Sequence, residues 1–186
     1  IDFELLSREF AHTRRKNLLL RDLDELVNQQ LAKMLFANPQ RIDYYDRYQE
    51  IIDAYNAEQN RATIEKTFMD LMELASSLDM EQQRYVREGF SSDEELSVYD
   101  LLFSENLTKQ EIETIKKVSV DLLTKIKQQI AKLDHWTDKQ ETKAIVDNLI
   151  RNTLWQELPN SYDVSDIQTY QKKIYEYVYM RYPEVA

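Results

Sequence analysis

The sequence contains no cysteine and a single glycine among 186 residues, with three prolines. Without cysteine there is no disulfide and no thiolate metal site, and the chain suits a reducing, cytoplasmic interior. One glycine cannot build a phosphate-cradling loop, because such loops need several residues without a Cβ where backbone N–H groups approach the phosphates. Nucleotide hydrolysis within these residues and a dinucleotide fold are therefore both disfavoured. Sparse turn punctuation also argues against a strand-rich fold. No run approaches the roughly 18 apolar residues of a membrane span, and no stretch reads as a signal peptide. The chain begins at Ile1 rather than Met, so it is expected to be a piece of a longer polypeptide.

What is present points to helices. Hydrophobic residues make up 42% and charged residues 31% of the chain, which suits a helical, globular protein with a sizeable core. Apolar residues recur at helical spacing almost throughout. The expected stripes are Phe3, Leu6 and Phe10 in residues 1–11, then Leu19, Leu23, Leu26, Val27, Leu31, Met34 and Leu35 up to the break at Asn38-Pro39. Tyr44, Tyr48, Ile51, Ile52 and Tyr55 follow. A helix from about Ala62 carries Phe68, Leu71 and Leu78, and either breaks at Ser76-Ser77 or continues through Met80 and Val86. Gly89, the only glycine, is placed to end a helix in the left-handed conformation. Ser92 and Glu95 then have the spacing of a capping box, as do Thr108 and Glu111, where Leu107 and Ile112 form a hydrophobic staple. Thr137 is the expected N-cap of a helix burying Ile145, Leu149, Ile150 and Leu154. A last helix runs from about Val164 to Tyr182.

The expected fold is all-α, an irregular bundle of about six to eight helices with no significant sheet. The expected division is N-terminal helices over residues 1–60 and a helical assembly domain over 61–186, or one continuous unit.

Catalytic constellations are not found. Glu9 and His12 have the spacing of one di-iron ligand pair, but Lys132 stands where His135 would need its glutamate. Glu141-Thr142-Lys143 has the Glu-x-Lys spacing of metal-dependent nucleases, yet it lies in a helical pattern rather than on a strand. Asp22-Leu23-Asp24-Glu25 has no phosphate loop to serve. No catalytic, cofactor-binding or metal-binding residue is assigned. The net charge of −10 would repel duplex DNA unless basic residues gathered on one face. Arg14-Arg15-Lys16 is the one compact basic run, and reads as a solvated helix face, as a contact with acidic neighbours, or as a phosphate contact.

Aromatic placement is more informative. There are 12 tyrosines, and Ile167, Tyr170, Ile174, Tyr177 and Val178 share one face of the last helix. Tyr175, Tyr179 and Tyr182 fall on an adjoining stripe, wider than one core contact needs. They are the candidate partner-interface residues, since tyrosine buries area while keeping a polar tip.

Asn38-Pro39-Gln40-Arg41-Ile42-Asp43-Tyr44, Ile51-Ile52-Asp53-Ala54-Tyr55-Asn56 and Gly89-Phe90-Ser91-Ser92-Asp93-Glu94-Glu95-Leu96-Ser97-Val98-Tyr99-Asp100 resemble landmarks of the C-terminal helical region of the R subunit of type I restriction enzymes. Phe90 replaces the usual Leu and Val98 the usual Phe. Asp134-His135-Trp136 to Thr142-Lys143-Ala144 is similar as well. After Asn148 the pattern departs, with an arginine-rich stretch reduced to Arg151. The resemblance implies a parent subunit that is an ATP-dependent DNA translocase joined to a nuclease, with ATP and Mg bound in upstream domains and no cofactor here. It further implies docking onto the methyltransferase core of modification and specificity subunits, with DNA met through the parent complex and no membrane involved. The alternative is an independent small helical enzyme or ligand-binding protein using buried carboxylates.

Overall fold

The computed structural model describes residues 2–58 and 60–183, so Ile1 of the first expected segment, residues 1–11, lies outside the described residues. Among them are nine α-helices and no strand. The chain separates into two compact units, Ile1–Arg87 and Glu88–Ala186.

The first unit holds α1 (Phe3–His12), α2 (Lys16–Ala37), a 3-10 turn (Pro39–Arg41), α3 (Ile42–Ala57), α4 (Arg61–Gln82) and the four-residue α5 (Arg84–Arg87). Pro39 ends α2 as expected, and Asn38 caps the 3-10 turn by accepting from the Gln40 N–H at 3.1 Å. The buried seam of α2 is Leu20, Leu23, Val27, Leu31 and Met34. Leu26, assigned inward from spacing, is 41% exposed, because the seam follows the a/d track and leaves the adjoining stripe outside. α4 runs unbroken through Ser76-Ser77. The Ser77 hydroxyl donates to the Glu73 carbonyl at 2.9 Å, satisfying the serine inside the helix. Met80 and Val86 face outward.

α4 packs on α2 and α3 through Phe68, Leu71, Leu74 and Leu78, all fully buried. The boundary between units therefore falls at residue 87 rather than residue 60. Phe10 of α1 joins this core by stacking on Phe68, with ring centroids 3.6 Å apart. A buried ion pair ties the 3-10 turn to α4. Arg41 Nε donates to Glu81 Oε1 at 2.9 Å, and Arg84 Nε donates to the same oxygen at 2.7 Å.

The second unit holds α6 (Asp93–Leu102), α7 (Lys109–Ile130), α8 (Gln140–Glu157) and α9 (Val164–Arg181). α6 packs on α7, α7 on α8, α8 on α9, and α9 closes back on α6. Thr108 and Glu111 form the expected capping box. At α6 the box is displaced by one residue. Ser92 Oγ accepts from the Glu95 N–H at 3.3 Å, but the Glu95 carboxylate takes the N–H of Ser91, at 2.7 Å, instead of that of Ser92. Thr137 does not cap α8. The cap position is Lys139, without a side-chain bond, and the Thr142 hydroxyl donates back to the Trp136 and Lys139 carbonyls. Val146 is buried where Ile145 was expected, and Ile145 is exposed. Asp163 and Asp166 make a capping box on α9, and the Tyr162 hydroxyl donates to the Leu102 carbonyl at 2.7 Å.

Gly89 takes φ 83, and an added Cβ would meet nothing within 4 Å. The cost of Gly89→Ala is therefore conformational alone, about 1–2 kcal/mol for a left-handed alanine. Urea unfolding should show that loss. An unchanged midpoint would mean that the corner relaxes out of the left-handed region.

Candidate partner interface

The aromatic stripe of α9 meets the corner that precedes α8. That corner, residues 134–137, is held sharp by His135 at φ 46 and by the 2.7 Å bond from the Thr142 hydroxyl to the Trp136 carbonyl. It drives Trp136 inward until 1% of the residue is exposed. The indole meets Tyr179 edge-on at 5.7 Å and Tyr175 at 6.2 Å. Tyr175 and Tyr179, one turn apart, stack at 6.2 Å. The Lys143 ammonium of α8 lies 5.8 Å from the centre of the Tyr179 ring, a cation–π distance. Gln171 Nε2 donates to Asp147 Oδ1 at 2.8 Å and pins α9 to α8 beside them.

Lys143, Tyr175, Glu176, Tyr179 and Met180 line an open groove of about 320 Å³. Tyr179 is 39% and Met180 71% exposed, and Tyr175 is half-buried. Burial, reinforced by the Asp147 carboxylate, pushes the Tyr175 phenol above its ordinary value. It stays a neutral hydroxyl at physiological pH. The floor is rigid and aromatic, and one flexible thioether and one cation stand at the rim.

Tyr182 does not join that groove. Its N–H donates to the Val178 carbonyl and caps α9. Its ring packs edge-on against Tyr177 at 6.3 Å, with the Lys127 ammonium 5.3 Å from its centre. Lys127 is itself ion-paired to Glu94. Burial is the main cause that raises the Tyr182 phenol. Tyr182 reaches the site only through its backbone, whose carbonyl accepts from Trp136 Nε1 at 2.6 Å. Trp136 lies outside the tyrosine stripe in sequence, although a tryptophan at a helix corner is a sign of an anchored turn.

The motifs weighed for chemistry are dispersed. Glu141-Thr142-Lys143 occupies the first turn of α8, and Asp22 to Glu25 lies along α2. Among the described residues no three His, Asp or Glu side chains converge as metal ligands do. Glu81 is the buried carboxylate of the described residues, and it is engaged by two arginines. Among the described residues the carboxylates with displaced pKa values are all lowered. Glu65 is lowered mainly by its bond from Lys16, Glu111 by Thr108 and Asp163 by Ser165. No described helix is long and apolar enough to cross a membrane.

By architecture the chain is an all-α helical bundle protein with an aromatic surface groove. Residues 1–182 match the family described as type I restriction enzyme HindI endonuclease subunit-like, C-terminal. The chain belongs to that family, in agreement with the landmarks at Asn38-Pro39 and Gly89 to Asp100. No curated protein and no solved structure matched it.

Proposed function

We propose that this chain is a docking module of a type I restriction endonuclease subunit, joining that subunit to the methyltransferase core of modification and specificity subunits. The reading is supported chiefly by the Tyr175–Tyr179 pair, presented at the surface on a buried Trp136. Tyrosine with few rotatable bonds on a rigid support is what interface hot spots are made of. ATP, Mg and the nuclease chemistry belong, on this reading, to other parts of the parent subunit. A ligand binder built on buried carboxylates is disfavoured by Glu81, whose charge is already shared between Arg41 and Arg84.

The test is capture of this chain by purified modification–specificity complex. The double variant Tyr175→Ala/Tyr179→Ala should weaken capture about 30-fold or more, the loss of at least one hot spot of about 2 kcal/mol. Wild-type affinity in a folded double variant would remove the groove from the docking surface. Failure of the unmodified chain to bind at all would remove the docking role.

A further inference from the structure

A second site lies in the Ile1–Arg87 unit, and it does not depend on the docking reading. The loop between α1 and α2 is folded tightly by the Thr13 hydroxyl, which accepts from the Arg15 N–H at 3.0 Å. Arg14, Arg15, Lys16 and, from α4, Arg61 surround an open concavity of about 680 Å³. The chain has 34 acidic residues against 24 basic ones, yet none of the residues lining this concavity is acidic or aromatic.

The charges there are unevenly committed. Glu65 neutralises one charge of the group, accepting from Lys16 Nζ at 2.7 Å and from Arg61 Nε at 3.2 Å. Arg14 and Arg15 are exposed, and neither has an ion-pair partner among the described residues. In a protein with surplus carboxylate, two adjacent free guanidinium groups facing an open hollow are a concentration of uncompensated positive charge. α2 starts at the same place with no side-chain cap and no acidic residue in its first turn, so its positive dipole end adds to the field.

We propose that this concavity binds the phosphodiester backbone of duplex nucleic acid. Guanidinium groups match phosphate oxygens in a bidentate fashion. The absence of aromatic lining excludes base stacking of the kind that holds single strands. Contact to phosphate alone carries no sequence preference. The site is a local concentration of positive charge on a chain whose net charge is −10.

Fluorescence anisotropy with a short labelled duplex of arbitrary sequence, titrated with the whole chain over a range of salt, tests the proposal. Arg14→Ala/Arg15→Ala should weaken binding about tenfold, and should reduce the slope of log affinity against log salt by about two, one for each phosphate contact. Both side chains are exposed, so circular dichroism should be unchanged. Arg61→Gln, on the facing wall, is a second probe and should weaken binding by a smaller factor. Lys172→Ala/Lys173→Ala, on α9, should leave binding as it is. The proposal is overturned if the unmodified chain binds no duplex at low salt, or if the arginine variants bind as tightly as it does. Equal weakening by the α9 variant overturns it too. So does displacement of duplex, at matched ionic strength, by inorganic phosphate or polyglutamate as effectively as by unlabelled duplex.

Discussion

Glu81→Gln should destabilise the Ile1–Arg87 unit by about 3–5 kcal/mol, the cost of breaking a buried ion pair from one side. Arg41 is 4% exposed and Glu81 7%. The variant keeps the shape of the side chain and one acceptor oxygen, but removes the negative charge that faces the Arg41 guanidinium in a low-dielectric interior. Arg84 is less affected, because more of its side chain reaches water. A unit of this size has about 4–13 kcal/mol of total stability, so the loss is a large fraction of the whole. Urea titration followed by amide exchange of α4 reads the effect. A loss below about 1 kcal/mol would show that water enters to solvate Arg41, since only surface pairs are that weak. Arg41→Leu/Glu81→Leu should recover most of the loss, because apolar replacement takes both charges of the pair out of the interior.

Trp136→Ala should cost the Glu88–Ala186 unit about 3–5 kcal/mol, the range for removing a buried large aromatic. Two effects add. The cavity removes the floor beneath Tyr175 and Tyr179, and the Tyr182 carbonyl loses its 2.6 Å donor. Trp136→Phe separates them, since it retains most of the ring but not the N–H. Its loss should be about 0.5–1.5 kcal/mol, that of one hydrogen bond to a partly buried acceptor. Trp155, 49% exposed, remains as the fluorescent reporter in both variants. Equal losses for the alanine and phenylalanine variants would place the whole effect in the hydrogen bond and none in packing. If Trp136→Ala leaves stability intact but abolishes partner capture, the indole would be a contact residue rather than a support.

Much of this architecture could be read from local chemistry. Gly89, Pro39, Thr108 with Glu111, and the helical spacing of apolar residues each act within a few positions, and each appears where expected. The failures share a cause. Thr137 has the right chemistry for a cap, but the corner spends its bonds on Trp136, and Thr142 takes over. The Asp163–Asp166 box has aspartate where the capping-box pattern has glutamate or glutamine, and its carboxylate reaches the same N–H. Leu26 and Ile145 were assigned inward because spacing defines a stripe but not which edge of it meets a neighbour. The Arg41–Glu81 pair joins residues 40 positions apart, and nothing local marks either one. At the site, the tyrosine stripe was legible from its period. That Tyr182 turns away and that Trp136 supports the other two depend on how α9 meets the corner before α8, which periodicity does not contain.

The sequential packing of α6, α7, α8 and α9 has a bearing on synthesis. Each helix finds its partner in the segment translated just before it, so most contacts require closure of only short loops and should form quickly. The exception is the return of α9 to α6, sealed by Tyr162 on the Leu102 carbonyl. Until it is made, the part of α6 that meets α9 stands open on the nascent chain, and α9 is the piece that covers it last.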